Sequence, residues 1–219
     1  MSDRPALPGA LTSTGVVAIA RAASTKRVVG AVETVVRAGV TCVEITMTTP
    51  GAVDAVAALA ASFGETVCVG AGTVLTTQQA RECIDVGAKF IVAPSVVPDV
   101  VEFASAQGIP VLPGALTPSE IVAAWLSGAA AVKVFPASAV GPQYVRDVRA
   151  PLPDIPLIPT GGVSIDDVPK YFAAGAIAVG VGGPLFGDAL SDDGDLDALA
   201  ARAKRLLDVV RAARDGQPL

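Results

Sequence analysis

Short apolar segments alternate along the chain with longer, alanine-rich segments, and this alternation constrains the fold more than any other feature of the sequence. Seven of the eight short segments are rich in valine or isoleucine, as the buried strands of a parallel sheet are. The predicted strands are Val16–Ala20, Cys42–Met47, Thr66–Ala71, Phe90–Ala93, Pro110–Pro113, Ala131–Phe135, Pro156–Pro159 and Ala176–Val181. The predicted helices are Thr25–Ala38, Ala52–Phe63, Thr77–Val86, Val97–Ala106, Pro118–Leu126, Pro142–Ala150, Ile165–Ala174 and Leu196–Arg214.

Eight strand–helix pairs within 219 residues indicate an α/β fold of the (β/α)8 kind, the TIM barrel. An open, doubly wound sheet is the alternative, because alternation alone does not show that the sheet closes. No linker or shift in composition divides the chain, so we expect a single domain over residues 1–219. That domain has a short N-terminal extension before Val16, which we interpret as an extra helix or a plug under the barrel, and a C-terminal helix.

The composition restricts where the protein acts and what it binds. Hydrophobic residues make up 52% of the chain and the mean hydropathy is +0.58, so we searched for a membrane span. The best uncharged stretch, Tyr171–Gly187, is rich in glycine and contains Pro184, and the N-terminus has no signal-peptide core. We therefore expect a cytoplasmic protein without a membrane partner. The net charge of −5 and the lack of a basic stripe argue against nucleic acid as a partner.

The chain contains no histidine, and this restricts its chemistry. Ser-His-Asp and Cys-His catalysis and histidine-ligated metal sites are excluded. The three cysteines, Cys42, Cys68 and Cys83, form no CxxC pair, so neither a disulfide framework nor a zinc site is indicated. Any acid, base or nucleophile must come from Glu, Asp, Lys, Tyr, Cys or Ser.

Two predicted strands carry a charge in the middle of an apolar run, Glu44 in the second and Lys133 in the sixth. Alternation of side chains along a strand assigns both to the barrel interior, Glu44 with Thr46 and Thr48, and Lys133 with Phe135. A buried, structural ion pair is one interpretation. We favour a reactive lysine with a carboxylate that moves protons, because desolvation leaves part of the amine uncharged and nucleophilic.

Candidate anion-binding residues cluster at the predicted C-terminal ends of four strands. Arg21 directly follows the first strand. The sequence is equally compatible with an ordinary loop arginine and with an arginine that binds a substrate carboxylate or phosphate. Thr73 follows the third strand and is predicted either to donate to a carboxylate or to cap the next helix. Thr76 is a second candidate for that N-cap. The seventh and eighth strands end in residues that favour a phosphate site, Thr160, Gly161, Gly162, Gly182 and Gly183.

The order of several motifs resembles that of the class I aldolases of 2-keto-3-deoxy-6-phosphogluconate (KDPG) and 4-hydroxy-2-oxoglutarate. The segments that carry the resemblance are Val43–Thr46, Gly70–Leu75, Pro113–Gly114, Lys133–Ala137 and Pro159–Val163, within a likeness that runs from about Val16 to Leu185. The resemblance implies a (β/α)8 barrel, usually a homotrimer, that cleaves KDPG to pyruvate and glyceraldehyde 3-phosphate in Entner–Doudoroff carbohydrate metabolism. It implies no cofactor and no metal.

The resemblance also implies roles for individual residues. Lys133 matches the Schiff-base lysine and Glu44 the proton-shuttling glutamate. Arg21 and Thr73 match positions that hold the anionic groups of the substrate. The phosphate loops match at Gly161, Gly162 and Gly183.

Two positions depart from the pattern of the family. Thr48 stands where some members have an arginine that contacts the pyruvate carboxylate, so carboxylate binding depends more on Thr73, Arg21 and backbone groups. Gly183 stands where many members have a serine, which leaves backbone N–H groups to contact the phosphate. The segment Gly141–Tyr144 is similar to that of members acting on the galactonate analogue, so that diastereomer and 4-hydroxy-2-oxoglutarate are alternative substrates of the same chemistry.

Two functions from other classes remain compatible with the residues alone. One is a phosphosugar isomerase or epimerase that uses Glu44 without a covalent intermediate. The other is a binder of phosphorylated ligands in which Lys133 and Glu44 form only a buried pair.

Assembly is predicted from Ile121–Leu126, a helical segment that is apolar on nearly all its faces. We expect another subunit to cover this segment, with Trp125 in or near the interface.

Overall fold

Residues 4–216 are described by the structure, a computed structural model, as parallel strand segments surrounded by helices. The strands are β1 Val16–Ala20, β2 Cys42–Thr46, β3 Cys68–Gly72, β4 Ile91–Val92, β5 Val111–Leu112, β6 Gly114–Ala115, β7 Val132–Val134, β8 Leu157–Pro159 and β9 Val179–Val181. Six of them form one sheet in the order β5-β4-β3-β2-β1-β9, and β6-β7-β8 form another. The first strand lies beside the last, as it does in a (β/α)8 barrel and does not in a doubly wound sheet.

The two sheets are neighbours at both ends. A parallel bridge joins Thr160, just after β8, to Gly180 in β9. At the other end, the predicted strand Pro110–Pro113 is replaced by the pieces β5 and β6, which are separated by Pro113 alone. Proline has no N–H to donate to a neighbouring strand, although the Pro113 carbonyl still accepts a hydrogen bond from Lys133 N at 3.0 Å. The parallel strands therefore follow one curled surface.

Ten helices accompany these strands in the described part of the chain. They are α1 Gly9–Thr14, α2 Val28–Arg37, α3 Ala52–Phe63, α4 Thr77–Asp85, α5 Pro98–Ser105, α6 Pro118–Leu126, α7 Gly141–Arg149, α8 Val168–Ala173, α9 Gly183–Phe186 and α10 Leu196–Asp215, with 3₁₀ turns at Ala137–Ala139 and Ile165–Asp167. Every predicted helix is present within a few residues. None of the described helices is both long and apolar enough to cross a membrane.

Two short helices bear on the predictions. The segment before β1 contains the short helix α1, whose Leu11 is fully buried in the interior apolar cluster with Val17, Cys42 and Phe90. Sequence reasoning missed α9, which was interpreted as a glycine-rich loop. Its proline in the first turn suits a helix start, because the first N–H groups of a helix need no intrahelical partner.

Side chains on the strands divide between two apolar clusters, as the alternation predicted. Val43 and Ile45 of β2 belong to the cluster between the sheet and the helices, and so do Val132 and Val134 of β7. Cys42 belongs to the cluster inside the curled sheet. The odd and even positions of each strand therefore face different layers, and this fixes the direction of the charged side chains between them.

Candidate active site

Glu44 and Lys133 are two of the few buried polar side chains of the described chain, with 2% and 5% of their surfaces exposed. Each lies in the middle of a strand that is buried throughout, β2 and β7. No ion pair in the described residues involves either group, so they do not form a contact salt bridge within 4.0 Å. The two side chains influence each other electrostatically without touching, so they are not a buried ion pair in contact.

Burial controls the protonation of Lys133. Desolvation lowers the pKa of its amine from 10.5, the nearby Glu44 carboxylate raises it again, and the guanidinium of Arg21 lowers it further. The amine lies 4.8 Å from the centre of the ring of Phe135, which directly follows β7 and lines the same cavity. A lowered pKa leaves more of the uncharged amine, which is the form that attacks a carbonyl carbon.

The Glu44 carboxyl is enclosed and incompletely bonded. Desolvation raises its pKa from 4.5, and the positive charges of Lys133 and Arg21 oppose that rise. Its Oε1 atom is buried and has no hydrogen-bond partner among the described residues. On β3, Gly72 makes room for this carboxyl, because a Cβ at that position would overlap it. A buried oxygen without a partner is free to bind a proton or a substrate hydroxyl.

A cavity of about 280 Å³ opens beside Lys133 at the C-terminal ends of the strands. It brings together eight of the eleven residues proposed from sequence, namely Arg21, Lys133, Phe135, Thr160, Gly161, Gly162, Gly182 and Gly183. Glu44, Thr48 and Thr73 do not line it.

A larger cavity of about 770 Å³ lies outside the sheet, between α2 and α10. Its Lys204 and Arg211 are exposed and paired with Asp208, so it lacks the buried, unpaired groups of the first cavity.

The glycine loops lie side by side, as their places after β8 and β9 predicted. Gly161 and Gly162 have φ angles of 88° and 75°, a region that other residues rarely adopt. A Cβ on Gly161 would come within 2.9 Å of the Phe135 ring, and a Cβ on Gly162 would overlap Ser138. Gly183 instead faces open space, where an added Cβ would have no atom within 4 Å. The loop after β8 therefore requires glycine, whereas the loop after β9 accommodates a larger residue at Gly183.

The remaining proposed residues lie on two sides of the same mouth. Thr160 is 5% exposed and donates to the Ile158 carbonyl at 3.2 Å. Thr73 follows β3 next to Gly72 and has a φ of 60°, which is unusual for threonine. Because Thr76 is the N-cap of α4, with its side chain accepting from Gln79 N, the cap role that competed for Thr73 belongs to Thr76. Thr48 is exposed, with its hydroxyl 3.0 Å from that of Thr46.

Sequence reasoning missed the apolar wall of the cavity and one polar contact. Phe186, Pro184 and Leu190 line the cavity from α9 and the segment after it. The apolar run directly after Gly182–Gly183 was the available signal. Thr49 was not singled out either, although it is buried and accepts a hydrogen bond from Ala22 N, next to Arg21. A contact over 27 residues leaves no local signal.

Comparison with known proteins agrees with this geometry. The family described as "Aldolase: KDPG and KHG aldolase" matches residues 8–202. A probable 2-dehydro-3-deoxy-6-phosphogalactonate aldolase of Rhizobium meliloti is 35% identical over 176 residues, which are 80% of this chain and 83% of that protein. A 2-dehydro-3-deoxy-phosphogluconate aldolase of Treponema pallidum is 33% identical over 174 residues, 78% of this chain and 82% of that protein.

The fold agrees as well. A solved structure described as "Native KDPGal structure" superimposes with a TM-score of 0.85 and 30% identity, over 91% of this chain and 96% of that one. The match to the family model spans the strands that carry Glu44 and Lys133. The chain therefore belongs to the KDPG and KHG aldolase family and is a carbon–carbon lyase.

Proposed function

We propose that this protein is a class I aldolase that cleaves KDPG to pyruvate and glyceraldehyde 3-phosphate through a Schiff base on Lys133. The observation that carries the proposal is the buried Lys133 amine, unpaired in the middle of a strand and open to a cavity bordered by glycine loops. An isomerase or a non-catalytic binder has no use for such an amine, and both conflict with membership of a lyase family.

The covalent step begins at the ketone of the substrate. The uncharged Lys133 amine adds to C2, and the resulting carbinolamine loses water to give a protonated imine. That cation accepts the electron pair of the C3–C4 bond, so the bond breaks and an enamine of pyruvate remains on the lysine. Protonation of the enamine at C3 and addition of water release pyruvate and restore the amine. The imine is itself the electron sink, so the scheme needs no metal or other cofactor.

Glu44 serves as the acid and base of the scheme. Its unpartnered Oε1 accepts the proton of the C4 hydroxyl as the C3–C4 bond breaks, and a carbonyl forms at C4. The carboxyl then returns protons during enamine protonation and carbinolamine turnover. A raised pKa suits both directions, because the group must gain and lose a proton near neutral pH.

The anionic ends of the substrate bind on either side of this pair. We assign the phosphate to the backbone N–H groups of Gly161, Gly162, Gly182 and Gly183, with the Arg21 guanidinium at the same cavity. Thr73 and Thr48 lie at the mouth and supply hydroxyl donors for the carboxylate. Phe135 and Thr160 form the inner wall beside the reacting carbons.

The galactonate diastereomer is the second candidate substrate. It is favoured by the name of the Rhizobium meliloti relative and of the superimposed structure, while the Treponema pallidum relative favours the gluconate form. The two sugars differ at the C4 hydroxyl, which is the group that Glu44 contacts in the scheme. Activity on 4-hydroxy-2-oxoglutarate requires the same chemistry without the phosphate contacts.

We also propose that the curled sheets form one closed (β/α)8 barrel within a single domain over residues 1–219. The Thr160–Gly180 bridge and the one-residue break at Pro113 support closure, because they leave the two sheets adjoining at both ends. The proposal includes a cytoplasmic location, where thiols stay reduced, because all three cysteines are free. Cleavage of KDPG would place the enzyme in the Entner–Doudoroff route.

Assembly as a homotrimer is part of the proposal. Leu126 at the end of α6 is 79% exposed, which suits a subunit contact. The adjoining Trp125 is less available than the sequence suggested, because Arg4 of the same chain stacks on its ring at 3.2 Å. We therefore place Leu126, rather than Trp125, at the centre of the contact.

A coupled assay of pyruvate release tests the function. The enzyme is given each diastereomer at equal concentration, and the rate of pyruvate formation is followed with a pyruvate reductase. The proposal expects turnover of both with the higher kcat/KM for the gluconate form. A preference of more than about tenfold for the galactonate form replaces the substrate assignment, and no turnover of either rejects the aldolase assignment.

A further inference from the structure

Three threonines at the end of β2 form a chain of hydrogen bonds that reaches the neighbouring loop. Thr46 is fully buried and Thr49 is 2% exposed, and their hydroxyl oxygens lie 3.3 Å apart. Thr46 Oγ1 is also 3.0 Å from Thr48 Oγ1, at the exposed mouth. At the other end of the chain, Ala22 N donates to Thr49 Oγ1 at 3.1 Å.

This chain connects two elements that carry proposed site residues. Ala22 directly follows Arg21, and Thr46 is the next inward-facing residue after Glu44 on β2. The strands β1 and β2 pair up to Ala20 and Ile45, so the last sheet contact is immediately before Arg21. Beyond that point, the Thr49 hydroxyl accepts the backbone N–H of Ala22, the residue directly after Arg21 in the loop that follows β1.

We propose that Thr49 is a positioning residue that holds Arg21 in place for the anionic substrate. The proposal rests on the proposed aldolase function and assigns a role that acts through Arg21 rather than on the substrate. Because Thr49 Oγ1 accepts the N–H of Ala22, its own hydroxyl proton is free to be donated to Thr46, and Thr46 can donate to Thr48.

Thr49→Val tests this role, because valine keeps the shape of threonine and removes the hydroxyl. The Ala22 N–H then loses its partner, and the loop that carries Arg21 is released. We expect KM for the phosphorylated substrate to rise about tenfold with kcat nearly unchanged, since the reacting groups are untouched. Thr49→Ser retains the hydroxyl and should restore KM. Thr34→Val, which removes a hydroxyl bonded to Gly30 O on the outer helix α2, is the matched control and should leave KM unchanged.

A double-mutant cycle with Arg21→Ala separates positioning from a general effect on stability. If Thr49 acts through Arg21, Thr49→Val adds nothing to KM once Arg21 is alanine. Additive effects of the two substitutions, or an unchanged KM in Thr49→Val, overturn the proposal. Thr49→Ala replaces Thr49→Val in the same cycle if the valine variant does not give a cooperative thermal transition.

Trapping of pyruvate by borohydride separates this inference from the function on which it rests. Wild type and Thr49→Val should both be trapped on Lys133 at saturating pyruvate, because the substitution leaves Lys133 and Glu44 unchanged. If wild type is not trapped, the aldolase function fails. If both are trapped and the cycle is additive, the function stands and the role of Thr49 fails.

Discussion

The two ends of the curled sheet use the same inward-facing strand positions for opposite purposes. At the N-terminal end of the strands, Cys42 and Cys68 pair in register on β2 and β3, and Leu11 of α1 closes the interior with further apolar side chains. Two residues later on β2, the inward position is Glu44, which faces Lys133. The apolar end removes surface from water and stabilises the fold, whereas the charged end keeps two desolvated groups ready to react.

The difference explains why the charges are tolerated. Both Glu44 and Lys133 have pKa values displaced toward their neutral forms by burial, so the folded state opposes their charges. Two sets of apolar contacts offset that unfavourable contribution. One lies at the N-terminal end of the strands, here called the base, and the other lies between the sheet and the helices. Substitutions at the mouth should therefore change rate more than stability, and substitutions at the base the reverse.

Glu44→Gln should have the largest effect of the variants that keep Lys133. The amide has nearly the same shape but cannot take the C4 hydroxyl proton, so we expect kcat to fall by a factor on the order of 10²–10⁴. Steady-state kinetics measures the effect, and circular dichroism confirms that the fold is kept. A rate near that of wild type would reduce Glu44 to a structural neighbour of Lys133.

Leu11→Ala makes the converse change at the base. Leu11 is fully buried under the interior cluster, so the substitution should lower the free energy of unfolding by about 2–5 kcal/mol. Urea denaturation measures the loss, and kcat at 25 °C should stay within about twofold because the mouth is unchanged. A large fall in kcat without a loss of stability would show that the two ends are coupled.

The glycine loops should respond unequally to the same small change. Gly162→Ala places a side chain at positive φ and against Ser138, so it should displace the loop and raise KM for the phosphorylated substrate about tenfold. Gly183→Ala meets open space at an ordinary φ and serves as the matched control, with KM expected within about twofold. Equal effects of the two substitutions would argue against backbone N–H groups of the β8 loop as phosphate ligands.

The smallest effect concerns pH. Because folding raises the pKa of Glu44 above 4.5, the folded state holds its proton more tightly, and stability decreases as the pH rises from 4.5 through the folded pKa. Glutamine has no such dependence. We expect Glu44→Gln to have a higher Tm than wild type at pH 8, by about 2–4 °C per kcal/mol of relieved desolvation, with the difference vanishing near pH 4.5. A Tm difference that grows as the pH falls would contradict the direction of the pKa displacement.

Local patterns predicted much of this site and non-local contacts account for the rest. Alternation along β2 and β7 predicted the inward direction of Glu44 and Lys133, because the positions between them are bulky apolar residues that suit the helix layer. The break of the fifth strand at Pro113 and the helix α9 depend on which groups each segment meets after folding. The hydrogen bond from Ala22 to Thr49 joins loops of different strands, and only the folded chain reveals it.

The central claim is that Lys133 forms the covalent intermediate, and borohydride reduction in the presence of pyruvate tests it most directly. Intact mass followed by peptide mapping should show one reduced pyruvyl group per chain, on Lys133, in wild type. Lys133→Arg keeps the charge but cannot form the imine, and should show no adduct. Lys89→Arg controls for another partly buried lysine, at the opposite end of the strands, and should be labelled as wild type is. An adduct of equal yield in Lys133→Arg would place the nucleophile elsewhere and contradict the account.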